Sequence, residues 1–367
     1  MSGPAPAART QVGAGPAHTG PVATTGELDW VLHVDIDEFL AAVAVARHPE
    51  LRGRPVVVGG GGDPTQRGVV ATASYAAREF GVHSGMPLRT AARLCPDATF
   101  LPSDQPAYEA VSEQVMATLR GFGVVEVLGW DEAFLGAPTD DPEGLAGDVR
   151  GAVADATGMV CSVGIGDNRL RAKVATGFAK PSGVYRLSRH NWVAVMGERP
   201  PDALWGVGAR TARKLADLGI TTVAGLALAD PAALADWFGP TMGPWFRALA
   251  HGAGGATVSD APYVARSRSR ETTFQRNIAD PEALADQVRR LAARVAEDVA
   301  EEGRPAVRVA VKVRFAPFFT HTRSVALGRP TGDPAAIEAG ALAALARFDL
   351  GQPVRLLGVR ADFPAPC

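Results

Sequence analysis

The sequence predicts a mixed α/β, multidomain chain. Its 367 residues leave room for two to four domains with sizeable cores. Short apolar runs alternate with helix-period segments through the first half, as in a mixed sheet with helices packed on it. From Tyr263 onward the order becomes strand, helix, strand, strand, helix, strand, which suits a small sheet backed by two helices.

The first 26 residues are rich in Gly, Pro, Ala and Thr and lack the apolar core of a signal peptide, so a disordered tail is expected. WVLHVDI (30–36) and RPVVVGG (54–60) read as buried strands. No Gly-Lys-Ser/Thr follows GGGG (59–62), which makes it a turn and not a phosphate loop. GVVATASYAAREFGV (68–82) runs from a strand into a short helix. From Asp104, Tyr108, Val111, Val115 and Leu119 recur at helical spacing. VVEVLGWDEAFLG (124–136) suits a hairpin turning near Gly129, Leu145 to Thr157 a helix, and MVCSVGI (159–165) a strand. NRLRAKVATGFAKPSG (168–183) is a helix stopped by Pro181 and Gly183. Residues 200–239 form short helices around Gly-rich turns. The last unit continues with a helix at 281–302, strands at 306–315 and 320–327, a helix at 334–347 and a strand at 353–362. In its first helix, Leu284, Val288, Leu291, Val295 and Val299 make one apolar stripe for the sheet.

Composition excludes several classes. Apolar content is 47% and the formal charge −2, ordinary values for a globular protein. No apolar run approaches ~18 residues, so no membrane partner is expected. Cys95, Cys161 and Cys367 are odd in number and far apart, without zinc or disulfide spacing, so a reducing cytoplasm is the expected location. A monomer is expected.

The chemistry lies in carboxylates. VLHVDIDEF places Asp35 and Asp37 on one side of a strand, and Asp131-Glu132 sits at a strand turn inside apolar sequence. Ionised carboxylates are too costly to bury without a cation or hydrogen-bond donors. Acids converging on neighbouring strands would bind Mg²⁺, which prefers oxygen ligands. Two such ions ~4 Å apart can serve an in-line displacement at phosphorus. Spacing alone leaves open that these acids cap turns or pair with arginine.

HVDIDEFLAAV, ATASYAAREFGVHSGMP (71–87), GWDEAFL (129–135) and VGIGDNRLRAKVATGFAKPSG (163–183) occur in this order. Together they resemble the Y-family translesion DNA polymerases, nearest the DNA polymerase IV branch, over about Trp30 to Phe363. The resemblance implies a right-hand polymerase with a palm (27–38 and 104–187), fingers (39–103), a helix-hairpin-helix thumb (188–256) and a β-α-β-β-α-β little finger (264–364). It implies two Mg²⁺ ions, with Mn²⁺ as an alternative, on Asp35, Asp131 and Glu132, assisted by the Ile36 carbonyl. Asp37 is not a ligand in that pattern and is expected to be structural. The family's triphosphate positions match Thr72, Tyr75, Arg78 and Lys180. Arginine forks onto phosphate oxygens, lysine supplies a point charge and hydroxyls donate hydrogen bonds. The expected partners are primer-template DNA and deoxyribonucleoside triphosphates.

GVGARTARKLADLGI (206–220) resembles a helix-hairpin-helix, in which the backbone around Gly206 and Gly208 would hold a DNA phosphate without reading sequence. In AVRVAVKVRF (306–315), Val307, Val309, Val311 and Val313 should face the core, with Arg308, Lys312 and Arg314 opposite. RSRSR (266–270) likewise puts Arg266, Arg268 and Arg270 on one side. Residues 266–329 hold 13 Lys/Arg and 8 Asp/Glu, a surplus of five positive charges that suits DNA phosphates.

The chain departs from the family pattern at two positions. Gly129 stands where Ser usually precedes the hydrophobic–Asp–Glu triplet, which is expected to loosen the turn. Leu40 stands where an aromatic ring, Phe39's neighbour, normally blocks a 2′-hydroxyl. Ribonucleoside triphosphates are therefore expected to enter more readily than in relatives. No glutamine-plus-hydrophobic tail follows Val359, so sliding-clamp recruitment is not expected. The expected function is template-directed DNA synthesis of the translesion type. The alternatives are a non-catalytic DNA-binding member of the same family, or a palm-like nucleotidyl cyclase.

Overall fold

The computed structural model describes residues 30–316 and 318–365; the tail expected over 1–26 and Cys367 lie outside them. In chain order the elements are β1 (Val31–Ile36), α1 (Phe39–Arg47), β2 (Val56–Val58), β3 (Thr72–Ala73), α2 (Tyr75–Arg78), α3 (Leu88–Leu94), β4 (Thr99–Leu101), α4 (Gln105–Arg120), β5 (Val124–Val127) and β6 (Glu132–Gly136). Next come α5 (Pro142–Thr157), β7 (Cys161–Gly166), α6 (Arg169–Ala179), β8 (Val184–Leu187), α7 (Trp192–Met196), α8 (Ala209–Asp217), α9 (Val223–Leu228), α10 (Pro231–Phe238) and α11 (Met242–Ala250). The chain finishes with β9 (Ser267–Ile278), α12 (Pro281–Glu302), β10 (Ala306–Phe315), β11 (Thr320–Thr331), α13 (Pro334–Leu345) and β12 (Val354–Asp362). These elements form two compact units, one ending at Arg52 and resuming over Asp104–Pro262, the other holding Gly53–Ser103 and everything from Tyr263. Among the described residues no helix is long and apolar enough to cross a membrane.

The first unit is built on a five-stranded sheet in the order β5-β6-β1-β7-β8. The mostly apolar run of β1 makes it the central strand, with Val31, Leu32, Val34 and Ile36 at most 1% exposed. It runs antiparallel to β6 and β7, which sets Asp35 opposite Glu132 on one side and Ser162 on the other. Helix α6 crosses from β7 to the parallel β8 and packs on both and on β1. Two glycines in β7 permit this approach. A Cβ at Gly164 would lie 2.1 Å from Ala172 O, and one at Gly166 only 2.2 Å from Ala172 N. Asp104 and Asp141 cap α4 and α5, accepting from Ala107 N at 3.3 Å and Gly144 N at 2.9 Å. Helix α1 belongs to this unit and packs through Phe39 on Tyr108 of α4. The short helices α7 to α11 close around Leu204, Val207, Leu215, Leu226, Leu234 and Phe246.

The second unit holds two small sheets. β3-β2-β4 packs on α2 and α3 around Val57, Val70, Ala77 and Leu88. β11-β10-β12-β9 is antiparallel throughout and realises the predicted strand-helix order. The α12 stripe is buried against it as expected. Two strand readings need correction. A register shift between Ala306 and Arg308 breaks the alternation, so Val307 stays half-buried while Val309, Val311 and Val313 enter the core. Arg268 and Arg270 do not share the face of Lys312. Glu271, opposite Gly358 in the register, reaches Lys312 at 2.8 Å across the open face, so Arg268 and Arg270 within the strand turn toward α12. There Arg268 pairs with Glu302, and Arg270 grips Asp298 at 2.5 and 2.7 Å. The basic residues of β9 thus neutralise helix acids that the sequence left apart.

Candidate active site

The ends of β1 and β6 bring the acids together. The turn before β6 is closed by Leu128 N and Gly129 N, both donating to Glu132 O at 3.0 and 3.2 Å, and Ile36 N donates to Asp131 O at 2.8 Å. A Cβ at Gly129 would meet Asp131 Oδ1 at 3.4 Å, an ordinary contact. The turn is therefore held by backbone bonds, and the expected loosening at Gly129 has no counterpart in its hydrogen bonding. Ligand atoms of His33, Asp35 and Glu132 lie within 4.8 Å of one another. Asp131 falls outside that trio, yet its carboxyl is pushed up to about 6 by burial and by the negative charges of Asp35 and Glu132.

Helix α6 presents Lys173 and Thr176 on one face, and Lys180, its C-cap, follows seven residues after Lys173. Lys180 Nζ reaches Asp35 Oδ1 at 2.5 Å, and Lys173 pairs with Glu132. His33, only 1% exposed, completes the group. Burial holds its pKa below the ordinary imidazole value, so it is neutral. Its Nδ1 lies 2.9 Å from Thr176 Oγ1, and its Nε2 lies 3.1 Å from Lys173 Nζ and 3.4 Å from Glu132 Oε2. Burial would raise the Glu132 carboxyl, but hydrogen bonds from His33 and Lys173 outweigh it and bring it down to about 2. Sequence reading missed His33 and Lys173. The period-two position of His33 before Asp35 and the seven-residue step from Lys173 to Lys180 were the available signals.

Asp37 has a different job. It is 4% exposed and accepts from Ser162 Oγ at 2.9 and 3.1 Å and from Ser182 N at 2.7 Å. That ties β1 to β7 and to the link after α6, in keeping with a structural acid. Phe39 is 2% exposed and Leu40, in the first turn of α1, is half-buried. Tyr108 joins Phe39 to Trp130, the residue before Asp131, at ring separations of 6.2 and 5.9 Å.

In the second unit Thr72 lies on β3, and Tyr75 and Arg78 begin and end α2. Arg78 lies 4.8 Å over the Tyr75 ring and donates to Ala73 O at 2.9 Å, while Ser74 caps α2. On the helix-hairpin-helix segment Gly206 has φ of 101°, and a Cβ there would strike Trp245 at 2.6 Å. Gly208 caps α8 with open space around it, and Arg210, Arg213 and Lys214 are exposed. On the terminal sheet Arg266 and Arg308 are exposed, Arg314 donates to Thr320 Oγ1 at 2.9 Å, and Lys312 is paired with Glu271.

Comparison with known proteins identifies this arrangement. The impB/mucB/samB family matches residues 34–177, and its C-terminal domain matches residues 265–363. DNA polymerase IV 2 of Mycobacterium tuberculosis is 51% identical over 339 residues, covering 91% of this chain and 97% of that protein. The chain belongs to the Y-family DNA polymerases, in the DNA polymerase IV branch. DNA polymerase IV of Methanoculleus marisnigri is 40% identical, with 90% and 93% of the two chains covered. Among solved structures, a Y-family polymerase chimera of Dbh and Dpo4 superposes with a TM-score of 0.80 at 25% identity, covering 91% of this chain and 98% of that one. DinB from Sulfolobus solfataricus gives a TM-score of 0.58 at 25% identity with the same coverage. This Y-family polymerase is a DNA-directed DNA polymerase of the translesion class, a nucleotidyltransferase that binds DNA and nucleotide and uses a divalent metal.

Proposed function

We propose that this polymerase extends a primer 3′ end using two divalent cations, Mg²⁺ or Mn²⁺, held by Asp35, Asp131, Glu132 and the Ile36 carbonyl. The observation that carries the reading is an oxygen donor set with uncompensated negative charge, expressed in Asp131, whose carboxyl resists ionising until about pH 6 beside Asp35 and Glu132. Such a set fits a hard cation. When bound there, the cations supply charge stabilisation at the attacking and leaving oxygens of an in-line displacement. The primer O3′–P bond forms, the bond to pyrophosphate breaks, and the hydroxyl proton leaves to solvent without a named protein base. The chain's own residues position and neutralise. Lys180 and Lys173 are paired with Asp35 and Glu132, and with those acids holding metal both ammonium groups would be available to neutralise phosphate charge. Triphosphate binding is assigned to Thr72, Tyr75, Arg78 and Lys180 on their match to the family motifs.

Leu40, beside the buried Phe39, supports relaxed exclusion of ribonucleoside triphosphates, because a flexible aliphatic chain fills less of the space a ring would close. A pocket change of this size is worth about 1–3 kcal/mol, so leakage and not reversal is expected. The DNA face is assigned to the backbone at Gly206 and Gly208 and to Arg266, Arg308, Lys312 and Arg314; Arg268 and Arg270 leave it because α12 holds them. Primer extension with dGTP or rGTP tests both readings. Asp131→Ala/Glu132→Ala should abolish both products, and Leu40→Phe should suppress the ribonucleotide product selectively. An unchanged sugar ratio in Leu40→Phe would defeat the second reading alone.

A further inference from the structure

The β10–β11 hairpin ends in Phe318 and Phe319, which are 62% and 61% exposed. Hairpin tips ordinarily take Gly, Asn, Asp or Ser, because a turn in water has nothing to pack against. Two rings at that position cost solubility unless something covers them. Beneath Phe319 lies a cleft of about 280 Å³ with Phe315, His321 and Phe348 in its walls and Arg323 and Arg347 at its rim. The cations are unusual too. Arg323 stands 5.8 Å over Phe348, Arg355 4.8 Å over Phe318, and Arg347 donates to Ser324 O. Burial, and after it the charges of Arg67 and Arg314, disfavour the positive charge of Arg355. Among the described residues, none of these five arginines has a carboxylate within 4.0 Å. Asp349 is the one acid of the cleft, and it is engaged locally by Gly351 N at 3.0 Å.

We propose that this hairpin tip and its cleft bind single-stranded DNA by stacking unpaired bases on Phe319 and Phe318 while the arginines hold the phosphates. Duplex bases already cover one another and offer only their edges, so exposed ring faces gain most from an unpaired strand. The charge matches a polyanion and opposes a basic peptide. Gln352, in the cleft wall, supplies an amide for a base edge. The inference rests on the polymerase reading only in choosing DNA as the ligand.

Fluorescence anisotropy with the full chain tests it, in EDTA and without nucleotide, so that neither metal nor catalysis enters. The probes are an oligo-dT strand, an abasic strand of equal length and a blunt duplex. Phe319→Ala should weaken oligo-dT binding roughly 5- to 100-fold while leaving the abasic strand and the duplex unaffected. Phe319→Trp should retain the affinity. Equal losses on all three probes would overturn the proposal by tracing the effect to folding or phosphate contact. Unchanged oligo-dT binding in both Phe318→Ala and Phe319→Ala would also overturn it, and would give the cleft to a protein segment. A chain inactive in primer extension that still shows the selective loss would sink the polymerase reading and leave this one standing.

Discussion

Replacing Asp131 by asparagine keeps the size of the side chain and removes a charge that the metal-free fold resists. Burial, then Asp35, then Glu132 raise this carboxyl from 3.8 to about 6. The sign follows from proton linkage. Below the unfolded value the group is protonated folded or unfolded, and ionisation costs nothing. Between the two values the cost grows, and above about pH 6 it is complete. At about 1.4 kcal/mol per pKa unit, a rise of roughly two units costs about 3 kcal/mol. Solvent at the half-buried carboxylate screens part of this, leaving about 1–3 kcal/mol for Asp131→Asn to recover. All six tryptophans, Trp30, Trp130, Trp192, Trp205, Trp237 and Trp245, lie in the first unit, so indole fluorescence follows its unfolding alone. In urea with EDTA the variant should be the more stable protein at pH 8. Its advantage should shrink through pH 6 and vanish near pH 4. Added Mg²⁺ should stabilise the parent and not the variant. A difference constant with pH, or a variant weaker at pH 8, would refute the reasoning.

Lys173→Met should act in the opposite sense. Glu132 is held down at about 2 by partners that include Lys173, which stabilises the fold above the unfolded value of 4.5, so the variant should lose about 1–3 kcal/mol at pH 7 and match the parent near pH 2 in the same urea titration. Asp37→Ala leaves the Ser162 hydroxyl and Ser182 N without their acceptor, and should cost about 2–4 kcal/mol in the tryptophan-reported transition. Arg270→Ala strands the nearly buried Asp298 and should cost about 3–5 kcal/mol, read by circular dichroism, with DNA affinity unchanged in the folded protein. Arg308→Ala should leave stability alone and lower the salt dependence of DNA binding by about one ion.

The elements most legible in the sequence were those whose pattern one local interaction decides. The α12 stripe, the helix following Asp104 and the β5–β6 hairpin all appear where periodicity and turn chemistry put them. Helix α1 was not legible, because FLAAVAVAR has no polar face to set a period and its start depends on Glu38 at a left-handed φ of 44°. The three-residue β4 escapes for another reason: it is a strand only through pairing with β2. In the site, the acids stood out as charges inside apolar sequence. His33 did not, since a histidine on a strand resembles any core polar residue until Lys173 and Thr176 arrive from a helix 140 and 143 positions away. Arg268 and Arg270 misled in the reverse direction. Their alternation was right, but which face was open depended on α12.

The lysines of α6 explain how three acids coexist before any cation is present. Asp35 has Lys180 and Glu132 has Lys173, while neutral His33 adds hydrogen bonding without charge. Two positive charges against three carboxylates leave one in surplus, and the surplus rests on Asp131. This accounts for the divergence within one dipeptide, where adjacent acids sit at about 6 and about 2. It also makes each lysine replaceable. Each ammonium supplies one positive charge to its acid, where a divalent cation would supply two. The close packing of α6 on Gly164 and Gly166 sets how far those ammonium groups reach. Gly164→Ala should therefore disturb the balance of charge at Asp35 and Glu132 although it touches neither, and a variant whose Asp131 still titrates near pH 6 would show that α6 does not set it.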